Sequence, residues 1–160
     1  GDMAADLNSL HQQLVHSDVT VDIGSREKLS SLRKLSFFGN FFERELLEVI
    51  GMSAWLEFDP GRLILGEGEL DESFYVIVKG TATVHEASGQ TLCTLGPGDC
   101  FGEMAYIARR PRTVDIRSLD SITVLKISNE LLEKTSVYCQ LKFTKAFLDT
   151  LIRRLSGDRR

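Results

Sequence analysis

The sequence predicts a mainly β domain, an antiparallel barrel or jelly roll with α-helices at both ends. Three observations carry that expectation. Between residues 54 and 127, short apolar runs alternate with turn residues such as Asp59-Pro60-Gly61, Ser88-Gly89 and Gly96-Pro97-Gly98-Asp99, the pattern of short strands joined by tight connections. On either side of that stretch the apolar residues recur every three or four positions, which is helical spacing. The chain has 160 residues, 42% hydrophobic and 26% charged, enough to close one core without disulfides or metals.

Residues 1–24 form a polar leader with weak apolar spacing at Leu7, Leu10 and Leu14, compatible with a short helix or a tether. Residues 25–52 are read as N-terminal helices. Leu29, Leu32 and Leu35 mark the first, opened by Ser25. Leu46, Leu47 and Ile50 mark the second, with Gly51 as its expected stop. Residues 53–128 hold the strands, expected at 54–58, 62–65, 74–78, 81–85, 91–95, 113–117 and 122–127, seven or eight in all. Gly80 is expected to make a tight hairpin. From 129 to 160 the chain turns helical again. Ser128 is the N-cap, and Leu141, Phe147, Leu148, Leu151, Ile152 and Leu155 continue at helical spacing. Arg153 and Arg154 suit the negative end of the helix dipole.

Charge and special residues narrow the function. With 19 Lys and Arg against 23 Asp and Glu the net charge is −4, the wrong sign for a general nucleic-acid binder. No apolar run is long enough to cross a membrane, and no signal peptide is visible. Cys93, Cys100 and Cys139 are odd in number and lack CxxC spacing, so they are expected to be reduced thiols in a cytoplasmic protein. His11, His16 and His85 are scattered, so no metal centre is expected. No acid/base set suggests catalysis, and no enzyme activity is expected.

One segment breaks the strand rhythm: Pro97-Gly98-Asp99-Cys100-Phe101-Gly102-Glu103-Met104-Ala105, on to Pro111-Arg112-Thr113. Residues 103–108 can form one or two helical turns, and Pro111 ends them. A glycine before a helix leaves backbone N–H groups free for an anion. An arginine at the far end of the same loop can grip a phosphate with two parallel hydrogen bonds. Glu103 only accepts hydrogen bonds, so it suits hydroxyls such as those of a ribose. Phosphate donor and hydroxyl acceptor within one short loop suggest a nucleotide. Without a ligand, Arg112 would be a solvated surface arginine and Glu103 a helix-start carboxylate. Arg109 and Arg110 are read as exposed loop arginines.

Phe101-Gly102-Glu103-Met104-Ala105 followed, six residues on, by Pro111-Arg112-Thr113 resembles the phosphate-binding cassette of cyclic nucleotide-binding domains. The resemblance covers roughly residues 35–155, with the cassette at 98–115. It implies an eight-stranded antiparallel β roll, N-terminal helices and a C-terminal lid helix. It implies a non-catalytic sensor of a 3′,5′-cyclic nucleotide, cAMP foremost with cGMP as the alternative, and no cofactor. Residue by residue, Arg112 matches the arginine that pairs with the cyclic phosphate, and Glu103 matches the acceptor for the ribose 2′-hydroxyl. Gly102 and Ala105 match places of close backbone approach, with Phe101 and Met104 beside them. Thr113 matches a residue whose hydroxyl meets the phosphate or a guanine amino group. The family usually continues with a small residue and a hydroxyl, where this chain has Val114 and Asp115. Asp115 puts a carboxylate near the site, within reach of Arg110 or Arg117.

The base needs a cover. Leu151 and Leu155, on the terminal apolar stripe, are the expected lid. An effector domain or partner protein is expected through the N-terminal helices, and a homodimer is compatible with the sequence. A second alternative is the sensor half of a transcription regulator lacking its DNA-binding domain, since no DNA-reading module is expected in the residues after the roll. Neither DNA nor membrane is an expected partner.

Overall fold

A computed structural model gives the fold and describes residues 19–20, 24–66, 73–86, 88–102 and 114–156. Helix α1 (Ser25–Arg33) and a 3-10 turn (Ser36–Phe38) lead to α2 (Glu43–Met52). The roll is built from β2 (Ala54–Phe58), β3 (Leu63–Leu65), β4 (Ser73–Lys79), β5 (Ala82–His85), β6 (Thr91–Leu95), β7 (Cys100–Phe101), β8 (Asp115–Ser118) and β9 (Ile122–Ser128). Helices α3 (Asn129–Leu132) and α4 (Val137–Leu155) follow. These are the expected eight antiparallel strands with helices on either side. A further strand, β1 (Val19–Thr20), comes from the leader and pairs with Glu57 and Leu56.

The strands form two sheets, ordered β1-β2-β9-β4-β7 and β3-β8-β5-β6. In the first sheet, β4 and β9 are buried on both faces. In β4, Phe74 and Val76 face the helices while Tyr75 and Ile77 face the roll interior; in β9, Leu125 and Ile127 oppose Ile122 and Val124. A strand buried on both faces shows as an unbroken apolar run rather than an alternation. That is why 74–78 stands out in the sequence, and 122–127 nearly so, broken only by Thr123 and Lys126.

Three expectations fail locally. Gly80 does not close a hairpin: β4 and β5 lie in different sheets, and Gly80 is where the chain passes between them. Its φ is +89°, and a Cβ there would stand 2.3 Å from the Ser121 carbonyl oxygen, so only glycine fits without distortion. The crossing is held by Thr81 N–H donating to Asp120 Oδ1 at 2.8 Å. Gly51 does not stop α2, which runs to Met52, with Ser53 N–H bonding Val49 O at 3.0 Å. The inward face of α2 is Leu46 and Val49 with buried Glu45, while Leu47 is exposed. Glu45 accepts from the Phe42 N–H at 2.8 Å and stands 3.8 Å from Lys142 Nζ, which satisfies its buried carboxylate.

Helix α4 corrects the expected stripe. Ser128 caps α3 as expected, accepting from Leu131 N–H at 3.2 Å, but the helix breaks at 133–136 and restarts at Ser136. The buried residues of α4 are Cys139, Phe143, Ala146, Phe147 and Thr150. Of the six apolar positions read at helical spacing only Phe147 is buried; Leu141, Leu148, Ile152 and Leu155 are exposed and Leu151 is intermediate. Burial, reinforced by nearby Glu48, pushes the Cys139 thiol up to about 11, so it packs as a neutral group. No helix among the described residues is long and apolar enough to cross a membrane.

Candidate functional site

The site is built around the segment that leaves the first sheet at β7 and enters the second at β8. A four-residue turn delivers the chain to β7. Gly96 N–H donates to Asp99 Oδ2 at 2.8 Å, Asp99 N–H to Gly96 O at 3.0 Å, and Gly98 N–H to Ile77 O at 2.8 Å. Gly98 turns with φ +89°, a conformation that other residues adopt only under strain. Strand β7 then pairs Cys100 with Val76 and Phe101 with Tyr75. The Phe101 ring is buried and stacks on Tyr75, with centroids 5.0 Å apart and planes at 10°. The ring therefore anchors the start of the segment in the roll interior.

Gly102 follows with φ +84°, so the chain turns sharply as it leaves the sheet. Glu103, Met104, Ala105, Arg112 and Thr113 lie at 103–113, outside the described residues. At the far end Val114 packs against the roll interior, and Asp115 opens β8 opposite His85. The expected strand at 113–117 is seen from Asp115. The two ends of the segment thus belong to different sheets. The expected pairing of Asp115 with Arg110 also involves the undescribed stretch.

The C-terminal helix reaches this entrance. Arg154 Nη2 donates to the Cys100 carbonyl oxygen, tying the last turn of α4 to the strand that precedes the loop. The sequence reading assigned Arg154 only to the helix dipole and missed this reach across 54 residues; nothing in the local pattern signals it. Leu151 is half-buried and Leu155 is 89% exposed, both beside Arg154 on the last turns. These are the two apolar side chains expected to cover a base, and neither is fully buried. Among the described residues no three His, Cys, Asp or Glu side chains stand close enough to hold a metal ion.

Comparison with known proteins places this geometry. The family of cyclic nucleotide-binding domains matches residues 55–136, from β2 through the loop to the start of α4. The cGMP-dependent protein kinase of Plasmodium berghei (strain Anka) is 29% identical over 105 residues, 66% of this chain but 12% of the kinase. A cyclic nucleotide-binding domain from Methylobacillus flagellatus has the same fold at a TM-score of 0.72 and 22% identity, with 82% of this chain and 78% of that one covered. The regulatory domain of Toxoplasma gondii PKA with cAMP superposes at 0.65 and 21% identity, over 78% of this chain and 49% of that one. The regulatory subunit of a cAMP-independent protein kinase A from Trypanosoma cruzi, bound to guanosine, superposes at 0.65 and 24% identity, over 80% and 44%.

Proposed function

The chain belongs to the cyclic nucleotide-binding domain family, and from that premise we propose that it is a non-catalytic sensor of cAMP working in the cytoplasm. The observation that supports the proposal is that the segment carrying the Phe-Gly-Glu-Met-Ala and Pro-Arg-Thr motifs is preceded by β7 in one sheet of the roll and followed by β8 in the other. Arg112 pairs with the cyclic phosphate through two charge-assisted hydrogen bonds. Glu103 accepts from the ribose 2′-hydroxyl. Gly102 and Ala105 let the backbone approach the sugar and phosphate, flanked by Phe101 and Met104. Thr113 adds a hydroxyl to the phosphate.

Leu151 and Leu155 close over the purine. Closure is a population shift, driven by the apolar contacts the ligand makes only in the closed state. The Arg154 bond to Cys100 O holds the last turn of α4 against β7, the strand that leads into this segment. The signal then leaves through the terminal helices to an effector domain or partner protein.

A cGMP-preferring site is the second reading, favoured by the similarity to a cGMP-dependent kinase and by the Thr113 hydroxyl, which can meet a guanine amino group. Calorimetry on the full chain with cAMP, cGMP and guanosine side by side tests both readings. The expected order is cAMP, then cGMP, with guanosine weakest because it has no phosphate for Arg112. Arg112→Leu should weaken cAMP binding by about 100-fold or more, the cost of leaving a charged phosphate half-paired. An unchanged dissociation constant in that variant would overturn the phosphate assignment.

A further inference from the structure

Two serines of the chain have a basic residue at both the second and the third position before them. They are Ser36, in Arg33-Lys34-Leu35-Ser36-Phe37, and Ser156, in Arg153-Arg154-Leu155-Ser156-Gly157. Two positive charges at that spacing ahead of a hydroxyl form the charge pattern by which kinases with an acidic substrate groove select serines. Such a kinase binds its substrate as an extended segment, so the side chains around the serine must leave the protein surface. Burial separates the two candidates. Ser36 is exposed, but its neighbours Leu35 and Phe37 are only 7% and 3% exposed. The Phe37 ring meets Phe38, Phe143 and Phe147, so extending that segment would pull a leucine and a ring out of the core. Around Ser156 no side chain is fully buried. Leu155 and Ser156 are exposed, and Arg153 and Arg154 are half-buried. The segment lies on the last turn of α4, and helix ends open far more readily than helix interiors.

We propose that Ser156 is a phosphorylation site for a serine/threonine kinase that selects basic substrates, and that the phosphate draws Arg154 off the Cys100 carbonyl, unfastening the end of α4 from β7. In the transfer, Ser156 Oγ attacks the γ-phosphorus of ATP. The new P–O bond forms as the bond to the β–γ bridging oxygen breaks, ADP leaves, and the hydroxyl proton passes to the kinase's base. The product no longer suits the helix end. The Ser156 hydroxyl donates to the Ile152 carbonyl oxygen at 2.8 Å, and the esterified oxygen has no proton to donate. A phosphate brings about −1.5 to −2 of charge and here stands beside the last carbonyls of α4, the negative end of the helix dipole. Arg154 relieves that charge. Its guanidinium donates to a neutral carbonyl, whereas a phosphate two residues along the chain is a charged acceptor that takes two parallel bonds from the same group. The basic pair thus marks the serine for the kinase and then receives the product. Leu151 and Leu155 sit on the same turns, so phosphorylation loosens the proposed lid. That consequence rests on the nucleotide-sensing reading, whereas the modification and the release of Arg154 do not.

The test incubates the full chain, free of cyclic nucleotide, with ATP, magnesium and the catalytic subunit of protein kinase A, a kinase of this selectivity. Mass spectrometry should find one added phosphate, and fragmentation should place it on Ser156. Ser156→Ala should lower incorporation by at least about 20-fold, and Ser36→Ala should leave it unchanged. Both serines are exposed, so the melting temperatures of the two variants should match the parent chain and report an intact fold. Hydrogen exchange over residues 147–156 should be at least about threefold faster in the phosphorylated chain, and unmodified Arg154→Ala should exchange as fast as the phosphorylated chain does. No incorporation, or incorporation on Ser36 in place of Ser156, overturns the site. Phosphate on Ser156 with unchanged exchange overturns the release of Arg154. With no cyclic nucleotide present, either failure leaves the roles of Arg112 and Glu103 standing, and a failure of those roles leaves Ser156 standing.

Discussion

On its helix side the first sheet is covered by an aromatic layer, whereas its other face looks into a roll interior that is mostly aliphatic. The aromatic layer joins Phe37, Phe38 and Phe41 from the N-terminal turn, Trp55 and Phe74 from the sheet, and Phe143 and Phe147 from α4. Their rings meet largely edge to face, as at Phe74–Phe147 (4.8 Å, 81°) and Phe41–Phe143 (5.1 Å, 82°). The interior has Leu56, Ile77, Val84, Ile116 and Val124, with Tyr75 and Phe101 as its stacked pair at the start of the loop. The difference separates two tasks. Large rings from segments far apart in sequence lock the helices to the sheet. The interior closes the roll and holds the loop's entry strand in register.

The largest expected effect therefore lies on the helix side. Phe143 is fully buried and meets five other rings: Phe37, Phe38, Phe41, Phe74 and Phe147. Phe143→Ala removes the centre of that layer and should cost about 3–5 kcal/mol in urea denaturation. A loss below about 1 kcal/mol would mean that the layer collapses around the gap and that α4 is held by other contacts.

A smaller change on the opposite face separates stability from binding. Tyr75→Leu keeps most of the apolar volume but removes the ring on which Phe101 stacks, at an expected cost of about 1–2 kcal/mol. Cyclic nucleotide affinity should nonetheless fall more in Tyr75→Leu than in Phe143→Ala when both are titrated under conditions where each is folded. If the two variants bind alike, the roll interior does not position the loop, and the division of labour between the layers fails.

What could be read from the sequence follows the same division. Strand β4 appears as a plain apolar run, and β2 and β9 as apolar runs interrupted only by Glu57 and by Thr123 and Lys126, so all three are legible almost to the residue. Strand β7 is not, because two residues carry no period. Gly80 shows as a turn, but a glycine alone cannot tell a hairpin from a crossing between sheets. In α4 the aliphatic residues Leu141, Leu148, Ile152 and Leu155 are all exposed, so counting leucines and isoleucines selects the outward face. The face that packs is held by Cys139, Phe143, Ala146, Phe147 and Thr150, a mixture with little hydrophobic contrast. For the site, the reading rests on residue types in the loop, because phosphate and ribose require opposite hydrogen-bonding roles, and positions 103–113 lie outside the described residues. The Arg154 bond to Cys100 O was hidden because it depends on where α4 ends in space.

The smallest expected effect tests how the aromatic layer connects to the rest of the helical part. Ser136 caps α4, its hydroxyl accepting from Cys139 N–H at 3.2 Å while donating to Glu48 Oε2 at 2.7 Å; its own N–H donates to Glu48 Oε1 at 2.9 Å. One side chain thus starts α4 and joins it to α2. Ser136→Ala removes the cap and one of the two bonds to Glu48, but leaves every aromatic contact in place. It should cost about 1 kcal/mol, an ordinary capping loss. Because Glu48 keeps its bond to the backbone N–H and is solvent-accessible, no buried charge is stranded to enlarge that loss. A double-mutant cycle with Glu48→Gln should then give a coupling of at most about 1 kcal/mol. A much larger coupling would move the junction of α2 and α4 away from the aromatic layer and onto this polar contact, and the helix-side core would have to be redrawn around it.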